Sequence, residues 1–117
     1  MEPILRSFLS LSQGIRYAAI YADGKLYSAS NEGLPDESSS ESDKYEELIV
    51  NPTLLKLVTQ RGNIDCGGAD YVIIRYGNFF EFVKPISKGH LSIGIHPDQD
   101  PFKLIPLIEK EIFKQNL

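Results

Sequence analysis

Cys66 is the first side chain to consider for chemistry, because a thiolate is among the strongest nucleophiles a protein offers. It stands beside Gly67-Gly68, and no histidine or lysine adjoins it in the sequence to activate the thiol. As the only cysteine it forms no internal disulfide, which fits a reducing compartment. We interpret Cys66 as a structural or incidental thiol, and an enzyme that uses it is the weakest of the alternatives.

The histidines and aspartates do not form a recognised metal-binding motif. His90 and His96 stand six residues apart, which on a strand separates them by about 20 Å. We expect both at the solvated ends of that strand. The aspartates are the other candidate metal ligands: Asp65, Asp70, Asp98 and Asp100. Their spacing lacks the alternating oxygen ligands and the central glycine of a calcium-binding loop. The sequence therefore predicts no catalytic residue, no metal and no cofactor.

Composition and charge exclude several classes of partner. Net charge is −4 without a basic stripe, which argues against nucleic acid. Hydrophobic residues make up 42% of the chain but no apolar run approaches a bilayer span, so we expect no membrane insertion. The opening residues lack the basic and apolar pattern of a signal peptide, and we expect a cytoplasmic protein. Without a glycine-rich phosphate loop the chain is not itself a GTPase, although a GTPase remains open as its partner.

An acidic, serine-rich segment interrupts the apolar pattern. Between Glu32 and Glu47 seven acidic residues stand against one lysine. We predict a mobile loop at about residues 31–44, since so polar a segment buries too little surface to offset the entropy of ordering it. We favour a solvated segment; the alternatives are an electrostatic arm for a basic partner and a phosphorylation site. The candidate modified residues are Ser38, Ser39, Ser40 and Ser42.

The elements that must position these residues alternate between helix and hairpin. Asp23-Gly24 between apolar runs predicts a type I′ hairpin that pairs Tyr21 with Leu26. Gly77-Asn78 predicts a second hairpin in the same way. Helical spacing predicts a helix over Pro3–Leu11, closed by Gly14. It also predicts a first turn or two around Tyr45–Val50 and then a helix over Thr53–Arg61, with Asn51 as cap and Gly62 as end.

A fifth strand and a closing helix complete the predicted order. Over His90–His96, Leu91, Ile93 and Ile95 point one way, while the small Ser92 and Gly94 point toward a closely packed helix. Asp100 and Pro101 predict the start of the last helix, whose apolar face includes Phe102 and Phe113. Pro106 predicts a kink or a later start near Ile105.

This order resembles the roadblock/dynein light chain family, whose longin-like and profilin-like relatives are similar. The best local matches are GIRYAAIYADGKLYSAS and FFEFVKPISKGHLSIGIHPDQDPFKLIPLIEKEIF. The resemblance covers nearly the whole chain and implies one domain over residues 1–117. It implies an α+β three-layer sandwich, in which a five-stranded antiparallel sheet carries the middle helix on one face and the terminal helices on the other. The implied element order is α-β-β-α-β-β-β-α.

The resemblance also implies a non-enzymatic adaptor that forms a homodimer and binds or regulates a small Ras-like GTPase or a larger complex. Family members join their third strands edge to edge, which here implies a seam at strand 71–76 flanked by helix 53–61. An unpaired YVIIRY edge would be an aggregation hazard, which favours the same pairing on physical grounds. The alternative is that this strand lies inside a monomer's sheet. The implied interface residues are Tyr71, Val72, Ile73, Ile74, Leu54, Leu55 and Val58.

A small-molecule sensing module of related α/β fold is the alternative function. Its aromatic residues would line a cavity rather than fill a core. The two functions differ in packing, since a sensor keeps a pocket of several hundred Å³, roughly the size of a small ligand site, whereas an adaptor is fully packed.

Overall fold

The structure is a computed structural model that describes residues 1–31 and 40–117. Its elements in chain order are α1 (Glu2–Leu9), β1 (Ile15–Ala22), β2 (Lys25–Ser30), α2 (Ser40–Tyr45), a π-helical turn (Glu46–Val50), α3 (Asn51–Asp65), β3 (Val72–Arg75), β4 (Phe80–Ile86), β5 (Gly89–Ile95) and α4 (Pro101–Lys114). No helix among these is long and apolar enough to cross a membrane.

The five strands form one antiparallel sheet in the order β2-β1-β5-β4-β3. Helices α1 and α4 share one apolar core with the sheet, and the π turn and α3 contact β1 and β4. Because side chains alternate along a strand, the two groups of helices lie on opposite faces. The predicted α+β architecture is confirmed.

The hairpin β1–β2 follows the register that its turn residues predict. Asp23 and Gly24 have φ of 53° and 78°, as a type I′ turn requires, and Tyr21 stands opposite Leu26. The hairpin β3–β4 also forms, with Ile74 opposite Glu81 and with the Tyr76 amide donating to the Phe79 carbonyl at 2.9 Å. Its two turn residues keep negative φ, so of these two hairpins the first alone uses a turn that depends on glycine.

The apolar core lies between the sheet and the terminal helices. Phe8 of α1, Ile108 of α4 and Phe82 of β4 are completely buried there, and Leu91, Ile93 and Ile95 of β5 point toward them as predicted. The other face of β5 carries Ser92 and Gly94. Ser92 is buried against Glu47 of the π turn, whereas Gly94 is buried beside Tyr17, whose Cβ would lie 3.0 Å from a Cβ at this glycine. One face of the sheet is therefore a hydrophobic core, and the other holds polar groups.

The middle helix is longer than predicted and has no internal break. Asn51 is not a helix cap: its φ and ψ of −65° and −46° are helical, and α3 continues directly from the π turn. Gly62 does not end the helix either, since α3 runs to Asp65 and the chain reverses at Gly67 with φ of 77°. Gly62 is instead a contact point, because a Cβ there would lie 2.5 Å from the Gly68 carbonyl oxygen.

The terminal helices also differ from the prediction in detail. α1 ends at Leu9, not at Leu11, and Gly14 lacks the left-handed conformation expected of a closing glycine. α4 begins at Pro101 with Asp100 as its cap, as predicted, and passes Pro106 without interruption. The predicted apolar face is wrong at its ends, because Phe102 and Phe113 are 64% and 88% exposed.

The predicted acidic loop at about 31–44 overlaps a helix at its C-terminal end, since α2 begins at Ser40. Of the candidate modified serines, Ser42 is exposed on α2. The other part of the prediction, including Ser38 and Ser39, lies outside the described residues.

Candidate functional site

The π turn positions the carboxylates of the candidate site. Pro52 has no N–H to donate to the carbonyl four residues earlier, and its ring would crowd that carbonyl in a regular α-helix. The helix widens just before it: the Asn51 amide bonds the Glu46 carbonyl five residues back. The Thr53 hydroxyl donates to the Ile49 carbonyl at 2.6 Å. Such turns are frequent at functional sites, and this one places Glu46 and Glu47 above the polar face of the sheet.

Glu47 is the centre of a buried hydrogen-bond network. It is completely buried, and its Oε1 lies 2.8 Å from His90 Nε2 and accepts from Asn51 Nδ2 at 3.0 Å. The Ser92 hydroxyl lies 2.6 Å from both carboxylate oxygens, and the Tyr17 hydroxyl donates to Oε2 at 3.2 Å. The network joins the π turn and α3 to β1 and β5. His90 is thus buried, not solvated as the sequence predicted.

Glu81 is a second buried carboxyl group on the same face of the sheet. It is 2% exposed, and its Oε1 has no hydrogen-bond partner among the described residues. Burial raises the pKa of Glu81 well above its ordinary value, and the negative charges of Glu47 and Glu46 raise it further. Glu81 therefore holds a proton at pH values where an exposed glutamate has lost it.

Glu46 is the third carboxyl group and lies nearer the surface. Its Oε1 accepts from the Tyr76 hydroxyl at 2.6 Å, whereas Oε2 is buried and unpartnered among the described residues. Desolvation raises the pKa of Glu46, an effect that the Tyr76 hydrogen bond opposes. Burial and the hydrogen bond to Glu46 likewise raise the pKa of Tyr76.

A cavity of about 720 Å³ opens beside these three carboxyl groups. Its walls combine the glutamates with aromatic rings, polar strand residues and one arginine. Arg16 extends along this wall, with its guanidinium carbon 5.5 Å from the centre of the Phe79 ring. The charged and aromatic residues in its wall include Glu46, Glu47, Glu81, Tyr17, Tyr45, Tyr76, Phe79 and Arg16.

The predicted interface residues are divided between the sheet edge and the middle helix. β3 is an edge strand, so the alternative that it lies inside a monomer's sheet is wrong. Val72, Ile73 and Ile74 are half-buried on it, and Tyr71 precedes it with its ring 5.3 Å from that of Phe82. On α3, Leu54 and Val58 are half-buried, whereas Leu55 is 9% exposed and belongs to the interior. Their part in a dimer stays a prediction.

The remaining chemical candidates are not brought together. Cys66 is exposed after α3, with its thiol 3.3 Å from an Asp65 carboxylate oxygen. His96 lies near Asp98 at 3.5 Å, far from the Glu47 network. Within residues 1–31 and 40–117, no group of three or more His, Cys, Asp or Glu side chains is placed to hold a metal ion.

Sequence reasoning missed the carboxyl cluster. Glu46 and Glu47 end a window of acidic residues that is typical of a solvated segment, and the expected cap at Asn51 separated them from the middle helix. One signal was present: His90 and Ser92 alternate with three large apolar residues on a buried strand. Polar residues at such positions need buried partners, and a carboxylate on the covering helix satisfies both.

The fold is similar to the crystal structure of MglC from Myxococcus xanthus, with a TM-score of 0.61 over 97% of this chain and 93% of MglC. The two chains share 12% sequence identity, so the likeness shows the fold alone. Neither a protein-family model nor a curated protein matches the sequence.

Proposed function

We propose that this chain is a non-enzymatic, cytoplasmic adaptor of the roadblock type, which forms a homodimer through the edge of β3 and binds or regulates a small Ras-like GTPase. The observation that carries the proposal is the position of β3 at the edge of the sheet. The resemblance to the roadblock family in sequence pattern and the fold shared with MglC support it.

The register of the β3–β4 hairpin determines which backbone groups of β3 face the open edge of the sheet. The Tyr76 amide bonds the Phe79 carbonyl across the two-residue turn, so Tyr76 and Phe79 form a hydrogen-bonded pair. Such pairs alternate along an antiparallel ladder with pairs whose N–H and C=O groups point away from each other. Ile73 and Arg75 therefore direct their backbone groups to the open edge. Two donors and two acceptors are available there for a second copy of the strand.

The charge on β3 limits how two copies can pair. Opposed residues in an antiparallel pair must both face the seam, so Ile73 and Arg75 can each stand opposite themselves or opposite one another. With Ile73 opposite itself, Arg75 stands opposite Tyr71. A seam with Arg75 opposite Arg75 would place like charges together, which is unfavourable, so the proposed seam pairs Ile73 either with Ile73 or with Arg75.

The other edge of the sheet is less suited to such a seam. β2 reads KLYSAS, and its Lys25 and Ser28 are exposed. β3 reads VIIR, and its first three side chains are half-buried. Exposed polar and charged residues are a common protection of an edge strand against pairing, so β3 is the edge with less protection.

The middle helix offers apolar surface beside the sheet. Leu54 and Val58 stand four residues apart on one flank of α3, with partial exposure. Leu57 and Ile64 are 58% and 76% exposed on the side away from buried Leu55. Paired helices would cover such residues, as the roadblock resemblance implies.

Proline substitution at the edge tests the dimer. Arg75→Pro removes an outward N–H without removing a bond of the β3–β4 ladder, because edge strands tolerate proline at such positions. We expect light scattering with size exclusion to show a dimer for the native protein and a monomer for Arg75→Pro, each with unchanged far-ultraviolet circular dichroism.

Two variants serve as matched controls. Arg75→Ala removes the charge but keeps the N–H, and Ser28→Pro places proline at an outward position of β2; both remain dimeric on this proposal. A native monomer, or a Ser28→Pro monomer beside an Arg75→Pro dimer, contradicts the β3 seam.

The GTPase partner is tested separately from the dimer. Titration against a panel of small Ras-like GTPases, each loaded with GDP or with a non-hydrolysable GTP analogue, should give nucleotide-dependent binding to at least one member. Equal and negligible binding to every loaded form would remove the GTPase from the proposal and leave the dimer untouched.

One observation favours the second candidate, a small-molecule sensing module. The cavity of about 720 Å³ lies within the range of small-molecule sites, which is the feature expected of a sensor. A thermal-shift screen of charged and neutral metabolites tests this function, which predicts stabilisation by members of one chemical class.

A further inference from the structure

The cavity next to the π turn contains carboxyl groups that lack hydrogen-bond donors. Glu81 is 2% exposed and lines the cavity, as does Glu46. Among the described residues, Glu81 Oε1 and Glu46 Oε2 are buried without a hydrogen-bond partner. Buried polar atoms are normally satisfied, and an exception in a cavity wall marks a place for a ligand's polar group.

The charge of the site favours a cationic ligand. In the part of the chain that the structure describes, three glutamates meet here against one arginine, Arg16. A nearby positive charge favours the ionised form of a carboxyl group, which accepts hydrogen bonds but cannot donate them. The mutual repulsion of the glutamates is part of the reason why the pKa values of Glu46 and Glu81 are raised. A positive charge in the cavity would reduce this repulsion and supply donors to the unpartnered oxygens.

The remaining walls favour an organic cation over a metal ion. The rings of Tyr17, Tyr45, Tyr76 and Phe79 line the cavity, and aromatic faces attract ammonium and guanidinium groups. The described His, Cys, Asp and Glu side chains include no group of three that is arranged for a metal. The volume exceeds the needs of a single ion and suits a molecule with an apolar body.

We infer that this cavity binds a small organic cation, with an ammonium or guanidinium group donating to Glu46 and Glu81 and an apolar or aromatic body lying against the tyrosines. This assignment rests on the second candidate function, since it names the ligand class of that site, and it does not require the dimer.

Calorimetric titration with chosen probes tests the inference. We expect the full chain to bind agmatine or phenethylamine and not to bind 3-phenylpropionate, an anion of similar size to phenethylamine. Glu81→Gln and Glu46→Gln should each weaken cation binding by roughly tenfold or more, because a charge-assisted hydrogen bond is lost. Glu109→Gln on α4, across the sheet, is the matched control and should bind like the native protein.

A blocking variant tests the location without a change in charge. Ser28 lines the cavity and is exposed, so Ser28→Trp should place an indole ring in the cavity and weaken cation binding while circular dichroism and oligomeric state stay native. Measurement of molecular mass in the same samples shows whether the protein is a dimer, independently of whether the ligand binds.

Four results would overturn the inference. They are binding of neither cation to the native protein, equal binding of the anion, cation binding that survives both Glu46→Gln and Glu81→Gln, and binding only of a lysine- or arginine-containing peptide. The last would assign the site to a partner protein's side chain and not to a free small molecule. If no cation binds but a neutral or anionic compound stabilises the protein, the sensing function stands without this ligand class.

Discussion

At the scale of single residues, Glu47 connects the π turn and α3 to the polar face of the sheet. Its carboxylate accepts hydrogen bonds from side chains of β1, β5 and α3. Every one of these partners is buried or half-buried, so each loses its acceptor if the carboxylate is removed. A buried polar group left without a partner destabilises the folded state by more than its hydrogen bond had stabilised it.

Replacement of this residue should therefore be costly. We expect Glu47→Ala to lower the free energy of unfolding by about 3 kcal/mol, measured by urea denaturation, because His90, Asn51 and Ser92 lose a common acceptor. The control is Glu41→Ala on α2, whose carboxylate lies 3.9 Å from Lys44 at the surface. That variant should change stability by less than about 0.5 kcal/mol. Equal effects of the two substitutions would contradict the network.

Glu81 gives the protein a dependence on pH with a definite sign. Burial raises its pKa above the usual 4.5, so the folded protein keeps a proton that the unfolded chain has already released. Stability conferred by this group is complete below about pH 4.5 and falls as pH rises toward the raised pKa.

Substitution by a neutral isostere should remove this dependence. We expect Glu81→Gln to unfold at a higher urea concentration than the native protein at pH 8 and at about the same concentration at pH 4. Between these pH values the free energy of unfolding of the native protein falls by at most about 1.4 kcal/mol per pH unit because of Glu81, and Glu81→Gln lacks this contribution. A native protein that gains stability relative to Glu81→Gln as the pH rises would show that the carboxylate is stabilised and not destabilised by its surroundings.

At the scale of elements, the hairpins β1–β2 and β3–β4 could be predicted because turn residues fix strand register locally. Asp23-Gly24 fixes every pair of β1 and β2 as predicted, since a two-residue turn leaves one alignment of the strands. The two turns differ in backbone, however. Gly24 has φ of 78° with open space where a side chain would be, whereas Gly77 also has open space but no positive φ.

This difference predicts opposite responses to the same substitution. Gly24→Ala should lower the free energy of unfolding by about 1–2 kcal/mol, since alanine resists the left-handed conformation and no clash contributes. Gly77→Ala should be neutral or stabilise by up to about 1 kcal/mol, because alanine reduces the freedom of the unfolded chain. Thermal melting of both variants checks the pair, and equal destabilisation would contradict the assigned turn types.

The start of the middle helix could not be predicted correctly, because two local signals both favoured a helix that begins after Asn51. Asn51-Pro52 has the residue types of a helix start, and the acidic residues before it are typical of solvent. Tertiary contacts decide otherwise: Asn51 bonds Glu47 inside one continuous helix, and the widened π turn accommodates Pro52. The candidate site depends on this irregularity, so helix propensity and spacing alone could not locate it.

At the scale of the whole molecule, the sheet has an apolar face covered by α1 and α4 and a polar face covered by the middle helix. The proposed functions use different parts of this arrangement. The dimer uses the open edge of β3, and the cation site uses the cavity by the π turn. A second copy at β3 would extend the sheet and place two middle helices side by side, with one cavity in each protomer.

The molecular mass of the native protein in solution tests the dimer most directly. Light scattering with size exclusion, at tens of micromolar protein, should give twice the 13.1 kDa of a single chain for the native protein. The same measurement should give 13.1 kDa for Arg75→Pro, the variant that removes an outward N–H from β3. A native mass of 13.1 kDa under these conditions would contradict the seam and the adaptor function built on it.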